Sequence, residues 1–252
     1  MKLPYKLLPR PVRRALAGLA GIALLWELAA RMLGLPVYVL PSVSSIVQAV
    51  LEQWTMLGQA AWITVMEAAC GFGLGSAGGI VLAVALTMMP PARRVLLPMA
   101  TALNSVPVVA YAPLILLWLG MGPASKIAMV SLAVGFTVFL HALAGLDRVD
   151  RRAIDLMRSF GADRAAILWR LRMPAALPLM ATGMRVSTTR SMIVAVVTEM
   201  LGAQGGLGWT IYQAVLQIDF VQVWSAIFVA SAASLLLFGV VSMAEKRCVF
   251  WK

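Results

Sequence analysis

The 252-residue chain carries little charge: 12% of its residues are Asp, Glu, Lys or Arg, whereas 62% are hydrophobic. Soluble domains have roughly 25% charged residues, so this chain has too few to cover the surface of a soluble protein of its size. The apolar content also excludes a disordered chain, a collagen and a disulfide scaffold. The class that remains is a protein that crosses a membrane several times.

Cysteine and histidine are scarce as well. The two cysteines, Cys70 and Cys248, have no suitably spaced partner, so neither a disulfide nor a metal site is predicted. His141 is the single histidine, and without a second ligand nearby we expect it to be structural. An integral-membrane enzyme, which needs a convergent acid–base, Cys/His or metal cluster, is therefore a weak alternative. A membrane receptor or scaffold is a second alternative.

Six long apolar runs predict six membrane-spanning helices, since each span needs about 20 residues. The predicted spans cover approximately residues 15–33, 60–89, 95–119, 124–146, 177–201 and 221–244. The first run is interpreted as an uncleaved span, because it is too long for a signal peptide and contains Trp26 and Glu27. Ser42 is predicted to cap a short amphipathic helix that ends near Trp54 and lies along the membrane surface. A Gly-rich loop without Lys or Arg is expected after the fifth span, up to Phe220.

The distribution of basic residues predicts the orientation. The net charge of +11 comes from 21 Lys and Arg against 10 acidic residues. The basic residues lie in alternate loops and near the two ends of the chain, with four exceptions: Arg31, Lys126, Arg185 and Arg190. By the positive-inside rule, both termini and the Arg-rich stretch 147–172 face the cytoplasm. Because topology accounts for the basic residues, no nucleic-acid partner is predicted.

The Arg-rich stretch is the most informative part of the chain. It is predicted to form two short helices joined at Gly161 and Ala162, with Asp163 capping the second helix. Its apolar positions are Ile154, Met157, Ile167, Leu168 and Leu171. One interpretation is a solvated amphipathic loop on the lipid surface. The other is a docking element for a cytoplasmic partner.

The same stretch resembles the cytoplasmic signature of ABC importer permeases. That signature has the form E-A-A-x-x-x-G, nine further residues, and I-x-L-P. Here residues 155–157 are Asp-Leu-Met, Gly161 follows at the matching position, and residues 171–174 are Leu-Arg-Met-Pro. The spacing matches throughout, while among the identities the Gly and the final Pro are retained.

The resemblance implies a fold and an organisation. We expect an all-α integral membrane protein of six transmembrane helices with a cytoplasmic coupling-helix loop, as in type I ABC importer permeases. It would be a single permease domain over residues 1–252, with a cytoplasmic tail at 1–14 and the coupling loop at 147–174. The residues that the resemblance assigns to coupling with the ATPase are Asp155, Arg158, Gly161, Ala162, Leu171 and Pro174.

Further segments resemble the nitrate, sulfonate and taurine branch of these permeases. They are Trp26-Glu27-Leu28, Leu40-Pro41-Ser42, Ser105-Val106-Pro107, Ala112-Pro113-Leu114, Trp118-Leu119-Gly120, Ala144-Gly145-Leu146, Glu199-Met200-Leu201-Gly202 and Gly205-Gly206-Leu207-Gly208. Permeases for pyrimidine precursors of thiamine share these segments. The resemblance therefore implies import of a small anionic solute resembling a sulfonate, nitrate or taurine, with a pyrimidine or thiamine precursor as the alternative.

The resemblance also implies partners and a location. The permease would pair with a copy of itself in the bacterial inner membrane, above a cytoplasmic ATPase dimer and below a periplasmic or lipid-anchored binding protein. The chain lacks a G-x-x-x-x-G-K-[ST] segment, so ATP would bind to the separate ATPase. We predict no catalytic residue and no cofactor in this chain.

Two predicted spans carry candidates for the translocation path. In the fifth span Ser187, Ser191 and Thr198 fall within about 40° of one another on a helix, and Arg190 flanks them. Such a stripe suits a small oxyanion, although hydroxyls also join packed helices. In the third span Asn104 and Ser105 precede two prolines, Pro107 and Pro113, which bend helices and are common where helices line a cavity.

Ionisable side chains at membrane depth and a glycine repeat complete the prediction. The ionisable residues are Glu27, Glu67, Arg185, Arg190 and Glu199. For the three glutamates a structural role towards the outer ends of their spans is favoured over a place in a water-filled path. Gly71, Gly75 and Gly79 recur every four residues and predict close packing of a neighbouring helix. A formal G-x-G-x-x-G match at residues 73–78 lies inside an apolar span, so it does not indicate nucleotide binding.

Overall fold

A computed structural model describes residues 10–34 and 36–248, and within these residues the chain is helical and contains no strand. The predicted all-α fold is confirmed. Residues 1–9 of the predicted tail and residues 249–252 lie outside the described part. The first described helix already begins at Arg10, inside the predicted tail.

The helices follow one another with short connections. Their bounds are α1 Arg10–Met32, α2 Val43–Glu52, α3 Trp54–Met88, α4 Pro90–Asn104, α5 Ala112–Leu119, α6 Pro123–Asp147, α7 Arg151–Ser159, α8 Arg164–Ile167, α9 Met173–Gly202, α10 Leu207–Leu216 and α11 Phe220–Cys248. A 3₁₀ turn, Val108–Tyr111, precedes α5, and a π-helical turn, Leu168–Arg172, joins α8 to α9. Ser42 caps α2 by accepting a hydrogen bond from the Ser45 amide at 3.2 Å, as predicted.

Helices α3, α6 and α9 form the centre of the bundle. The three repeated glycines lie where α3 meets α6. A Cβ atom at Gly75 would lie 3.0 Å from the Gly135 amide nitrogen, and one at Gly79 would lie 2.9 Å from that of Phe139. With no side chain at these positions, the two backbones approach closely, which is how small residues favour helix packing in a membrane.

The directions of these helices define two ends of the bundle. Helices α3 and α6 are parallel, because Gly71 faces Val130 and, further along both helices, Gly79 faces Phe139. Helix α9 is antiparallel to them, since its Ala176 packs on Gly145 and its later residue Gly183 packs on the earlier residue His141. The Arg-rich stretch therefore lies at one end, which we call the loop end. The starts of α3 and α6 and the end of α9 lie at the opposite, distal end.

Helices α1 and α11 lie at the periphery and are mostly exposed within this single chain. Trp26 of α1 packs edge-on against Trp224 of α11, with ring centroids 4.8 Å apart. Glu27 forms an ion pair with Arg31 at 2.6 Å and accepts hydrogen bonds from the amide and hydroxyl of Ser44. The carboxylate thus fastens α1 to α2 at the distal end, in the structural role predicted for it.

Three helices among the described residues are long and apolar enough to cross a membrane: α3, α6 and α11. Two bent pairs raise that number to five if each pair is one span. One pair replaces the predicted third span: α4 ends at Asn104, and the segment Val108–Leu119 departs from it at 87°. The other pair corrects the predicted loop after the fifth span, because residues 207–216 form helix α10, set at 47° to the preceding helix.

Candidate functional site

The Arg-rich stretch protrudes as a helix, a glycine turn and a second helix. Asp150 caps α7 by accepting from the Arg152 amide at 2.9 Å, and Asp163 caps α8 by accepting from the Ala166 amide at 2.8 Å. The cap predicted at Asp163 is confirmed. Between the two helices Gly161 has φ +82°, a left-handed conformation that a glycine adopts without a steric penalty.

The second helix of the stretch does not end where the sequence predicts. It continues from Arg164 through the π-helical turn into α9, without a break up to Gly202. Pro174 directly follows the π-helical turn and does not interrupt the segment. The two short helices joined at Gly161 and Ala162 are therefore present as predicted, and α8 continues as the first turn of the fifth span's helix.

The apolar side chains of the stretch point in two directions. Ile154, Ile167 and Leu168 are buried. Leu156, Phe160 and Trp169 point outward, with 59%, 82% and 60% of their surface exposed. Around them the arginines at 151, 152, 158, 164 and 170 are exposed too, and Arg158 pairs with Asp155 at 3.3 Å. The stretch thus presents an apolar and basic surface.

The other residues assigned to coupling lie around the turn and at the entry of α9. The Ala162 amide donates to the Met157 carbonyl at 3.0 Å and closes the turn. Leu171 is half-buried in the π-helical turn, and Pro174 is exposed. These positions follow one another along the chain from the turn to the start of α9, and each is at least partly exposed.

A groove of about 780 Å³ opens between α3, α4, α5 and α6. Its polar side chains are those of Asn104, Tyr111 and Ser131, and no charged residue lines it. The remaining lining is apolar and includes Trp118 and Phe136. The bend between α4 and α5 forms the groove, as expected where a broken helix lines a cavity.

The predicted path residues do not come together. Asn104 lines the groove, and Ser105 is exposed just beyond the end of α4. Ser187, Ser191 and Thr198 are buried between helices. The hydroxyls of the latter two donate to carbonyls of their own helix, at 2.7 and 2.9 Å. This burial favours the alternative that these hydroxyls serve helix packing.

Arg190 is the charged member of that set. It is half-buried and donates from its guanidinium to the Thr137 hydroxyl on α6 at 3.2 Å. Within the described part of the chain it forms no salt bridge. Arg185, in contrast, pairs with Glu245 of α11 at 3.3 Å, which supports the structural interpretation of that arginine.

Four buried polar side chains form a distal polar cluster: Thr64, Glu67, Lys126 and Glu199. The Glu199 carboxylate accepts from the Thr64 hydroxyl at 3.0 Å and from the Gly208 amide at 2.7 Å. The Thr64 hydroxyl in turn accepts from the Leu207 amide at 2.8 Å. The cluster therefore satisfies two of the free amides at the start of α10, those of Leu207 and Gly208.

Lys126 completes the cluster. It is 1% exposed, and its ammonium donates to the carbonyls of Met121, Gly122 and Gly202. The loop that follows Gly202 folds tightly over Glu199, because a Cβ atom at Gly206 would lie 2.6 Å from a carboxylate oxygen. Gly206 has φ +95°, so both its conformation and its lack of a side chain are needed here.

The chain is similar to known proteins over most of its length. Residues 75–248 match the family described as "Binding-protein-dependent transport system inner membrane component". The chain belongs to this family. It is a membrane-embedded permease subunit of an ABC importer, as the resemblance of the sequence implied.

Relatives and a solved structure support the assignment of this permease. It is 30% identical over 236 residues to the formylaminopyrimidine transport permease protein ThiX of Halalkalibacterium halodurans, with 92% of each chain covered. It is 36% identical over 136 residues to the taurine transport system permease protein TauC of Escherichia coli, with 54% of this chain and 50% of TauC covered. A crystal structure titled as an amino acid ABC transporter with histidines superposes with a TM-score of 0.61 at 18% identity, over 79% of this chain and 97% of that one. This likeness confirms the type I importer fold.

Sequence reasoning missed two features of the permease. The exposure of Phe160 and Trp169 could have been predicted from the sequence, because these aromatic residues lie near a glycine and among arginines. The burial of Lys126 is indicated more weakly, by a single Lys three residues after the proline that starts an apolar run. His141 hydrogen bonds through Nδ1 to the Thr137 carbonyl at 2.8 Å, consistent with the structural role expected of it. Among the described residues no group of three or more His, Cys, Asp or Glu side chains is arranged to hold a metal ion.

Proposed function

We propose that this permease pairs with a second copy of itself and imports a small anionic solute resembling a sulfonate, nitrate or taurine. A cytoplasmic ATPase dimer docks at residues 147–174 and drives the cycle. A periplasmic or lipid-anchored binding protein delivers the solute at the distal end. Both termini and the loop end face the cytoplasm.

The observation that carries the proposal is the exposed surface of the 147–174 stretch. Leu156, Phe160 and Trp169 expose most of their surface to solvent in this chain, which is costly without a partner. The arginines around them can pair with acidic groups at the rim of a groove. Because α8 continues into α9, a push on this surface moves the whole helix as one body.

The proposed orientation rests on charge and on helix direction. The basic stretch lies at the loop end, and a basic segment near a span is retained in the cytoplasm. The end of α11, with Lys246 and Arg247 in its last turn, also points to the loop end, because Glu245 contacts Arg185 in the first half of α9. Helix α1 approaches the distal end with its C-terminal half, at Trp26, so its start points the other way.

The anionic solute is supported by Arg190 and by the taurine permease among the relatives. A pyrimidine or thiamine precursor is the second candidate. It is favoured by the groove, whose Asn104, Tyr111 and Ser131 offer hydrogen bonds but no charge, beside aromatic rings that can stack on a heterocycle. The relative ThiX, matched over nearly the whole chain, points the same way.

Uptake into liposomes that contain the permease, the ATPase and the binding protein separates the two solutes. Labelled taurine and labelled formylaminopyrimidine are offered outside at equal concentration, with the binding protein outside and ATP enclosed inside, so that only transporters whose ATPase faces the lumen accumulate solute. We expect accumulation of taurine. Accumulation of the pyrimidine alone would replace the anionic proposal by the second candidate.

The docking surface is tested by Gly161→Glu. At φ +82° a glutamate is strained, and it places a negative side chain on the surface that meets the ATPase. We expect weaker co-purification of the ATPase, or ATP hydrolysis without uptake, while the permease still inserts. Ala165→Glu is the matched control, because Ala165 is exposed on the same stretch in ordinary helical conformation. Normal uptake at normal ATP consumption in Gly161→Glu would show that this surface does not couple to the ATPase.

A further inference from the structure

In the distal polar cluster a basic side chain contacts the C-terminal end of α9, and an acidic side chain contacts the N-terminal start of α10. The ammonium of Lys126 donates to the carbonyl of Gly202, the last residue of α9, at 2.5 Å. The carboxylate of Glu199 accepts from Gly208 in the first turn of α10. Helix C-termini carry partial negative charge and N-termini partial positive charge, so each side chain stabilises the end that it contacts. Together they fix the 47° bend between α9 and α10.

Lys126 also reaches a third element. It donates to the carbonyls of Met121 and Gly122, in the turn between α5 and α6. Helix α5 carries Ile115 and Trp118 and forms one wall of the groove. A single ammonium thus joins the wall of the groove to the end of α9, and Glu199 joins that end to α10.

These contacts depend on one another because the ammonium is buried. A buried ammonium that loses a carbonyl partner finds no water to replace it, so each of its three hydrogen bonds is costly to break. The carbonyls of Met121 and Gly202 are therefore held at a fixed distance as long as Lys126 lies between them. The α5–α6 turn and the end of α9 cannot separate without breaking the cluster.

An unbroken helical segment leads from the loop end to this cluster. It runs from Arg164 to Gly202, and Glu199 lies one turn before its end. A displacement of the 147–174 stretch along or around this helix reaches Glu199 through the π-helical turn Leu168–Arg172 and past Pro178, with no break in the helix. From Glu199 and Gly202 it passes to α10 and to the α5–α6 turn.

We infer that Lys126 is a positioning residue for transport, which makes the α5 wall of the groove and helix α10 move together with α9. The inference rests on the proposed role of the 147–174 stretch. It adds the contacts through which a movement of α9 is passed on to α10 and to the α5–α6 turn. Lys126 acts through main-chain carbonyls and contacts no solute in this role. Glu199 and Thr64 hold the start of α10 to the same unit.

The test compares Lys126→Met with the parent in liposomes that contain the complete transporter. Both carry Cys70→Ser and Cys248→Ser, and spin labels are attached through Met121→Cys and Leu216→Cys, at exposed positions on the α5–α6 turn and α10. In the parent we expect a narrow distribution of label distances, with and without ATP. In Lys126→Met we expect a broad distribution and an uptake rate about tenfold lower, within the usual range for coupling between sites. Basal ATP hydrolysis and co-purification of the ATPase should stay unchanged, which a general loss of folding would not allow.

Two further variants make the comparison specific. Arg31→Met removes another basic side chain at the distal end, but from an exposed pair with Glu27, and should keep both the narrow distribution and normal uptake. Thr64→Val keeps all charges and removes the hydroxyl that joins Leu207 to Glu199. It should broaden the distribution and slow uptake less than Lys126→Met does, and it takes the place of that variant if the methionine protein does not accumulate.

An unchanged distance distribution with normal uptake in Lys126→Met, or in Thr64→Val where it takes its place, would overturn the inference and leave the proposed docking surface intact. Loss of the ATPase from the purified complex would overturn it as well, because the cluster would then serve assembly. The docking surface has its own test in Gly161→Glu, whose result does not depend on the distal polar cluster.

Discussion

The guanidinium of Arg93 donates two hydrogen bonds to the carboxylate of Asp147, at 2.9 and 2.5 Å. This bidentate pair joins the start of α4 to the end of α6 at the loop end, 54 residues apart in the chain. Both side chains remain partly exposed, 30% and 39%, so water and salt weaken their attraction. The pair therefore joins the two helix ends but contributes little to the stability of the fold.

We expect the Arg93–Asp147 pair to contribute about 0.2–1 kcal/mol, the usual range for an exposed ion pair. A double-mutant cycle of Arg93→Ala, Asp147→Ala and the double variant measures this, from the unfolding of the purified permease in detergent. The coupling should fall as the salt concentration rises. A coupling of several kcal/mol would show that the pair is shielded from solvent, in conflict with its exposure here.

The contact between α3 and α6 predicts a sharp difference between two glycines on the same helix. At Gly75 a new Cβ would lie 3.0 Å from backbone atoms of α6, which cannot move aside as a side chain does. Gly75→Ala should therefore cost about 1–3 kcal/mol and lower the melting temperature in detergent. Gly73→Ala is the control, because nothing lies within 4 Å of its Cβ position and alanine favours the helix. Equal melting temperatures would mean that α3 and α6 do not pack closely.

Much of the fold follows from local features of the sequence. Helix α6 covers Pro123–Asp147 where residues 124–146 were predicted, because one apolar run lies between a proline and an acidic residue that mark its ends. The turn at Gly161 and the cap at Asp163 are local as well. Their hydrogen bonds join residues at most five apart, so the spacing alone predicts them.

The parts that sequence reasoning missed depend on contacts between distant residues. Helix α10 begins where Thr64, 143 residues away, accepts from the Leu207 amide, and no local pattern indicates that partner. The burial of Lys126 depends on the carbonyl of Gly202, 76 residues away. In the third span the prolines predicted a bend but not its 87° angle, beyond which α5 packs against α6. The inward and outward sides of α7 were ambiguous, because Ile154 and Leu156 are both apolar and only contact with the bundle distinguishes them.

The proposed orientation predicts where a fused reporter works. A reporter that is active only in the cytoplasm should be active after Arg94, after Arg158 and at Lys252. It should be silent near Gly120 and near Gln213, which lie towards the distal end, where the loops carry few basic residues. Activity at Gln213 would contradict the orientation and the six-span topology together, since nothing basic in that segment would hold it inside.

Variants of Arg190 distinguish a role of this residue in the translocation path from a role in folding. Its guanidinium contacts the Thr137 hydroxyl and is only half-buried, so it retains donors for an anion. We expect Arg190→Ala to slow uptake of an anionic solute about tenfold or more, the effect of losing a charged hydrogen bond of about 1.5–3 kcal/mol. The yield of folded complex and the basal ATP hydrolysis should stay as in the parent. Arg190→Lys keeps the charge but loses the planar fork, so it should recover part of the uptake. A lower yield of complex with a normal rate per folded transporter would instead assign Arg190 to helix packing, and the groove with its uncharged lining would then favour the pyrimidine candidate.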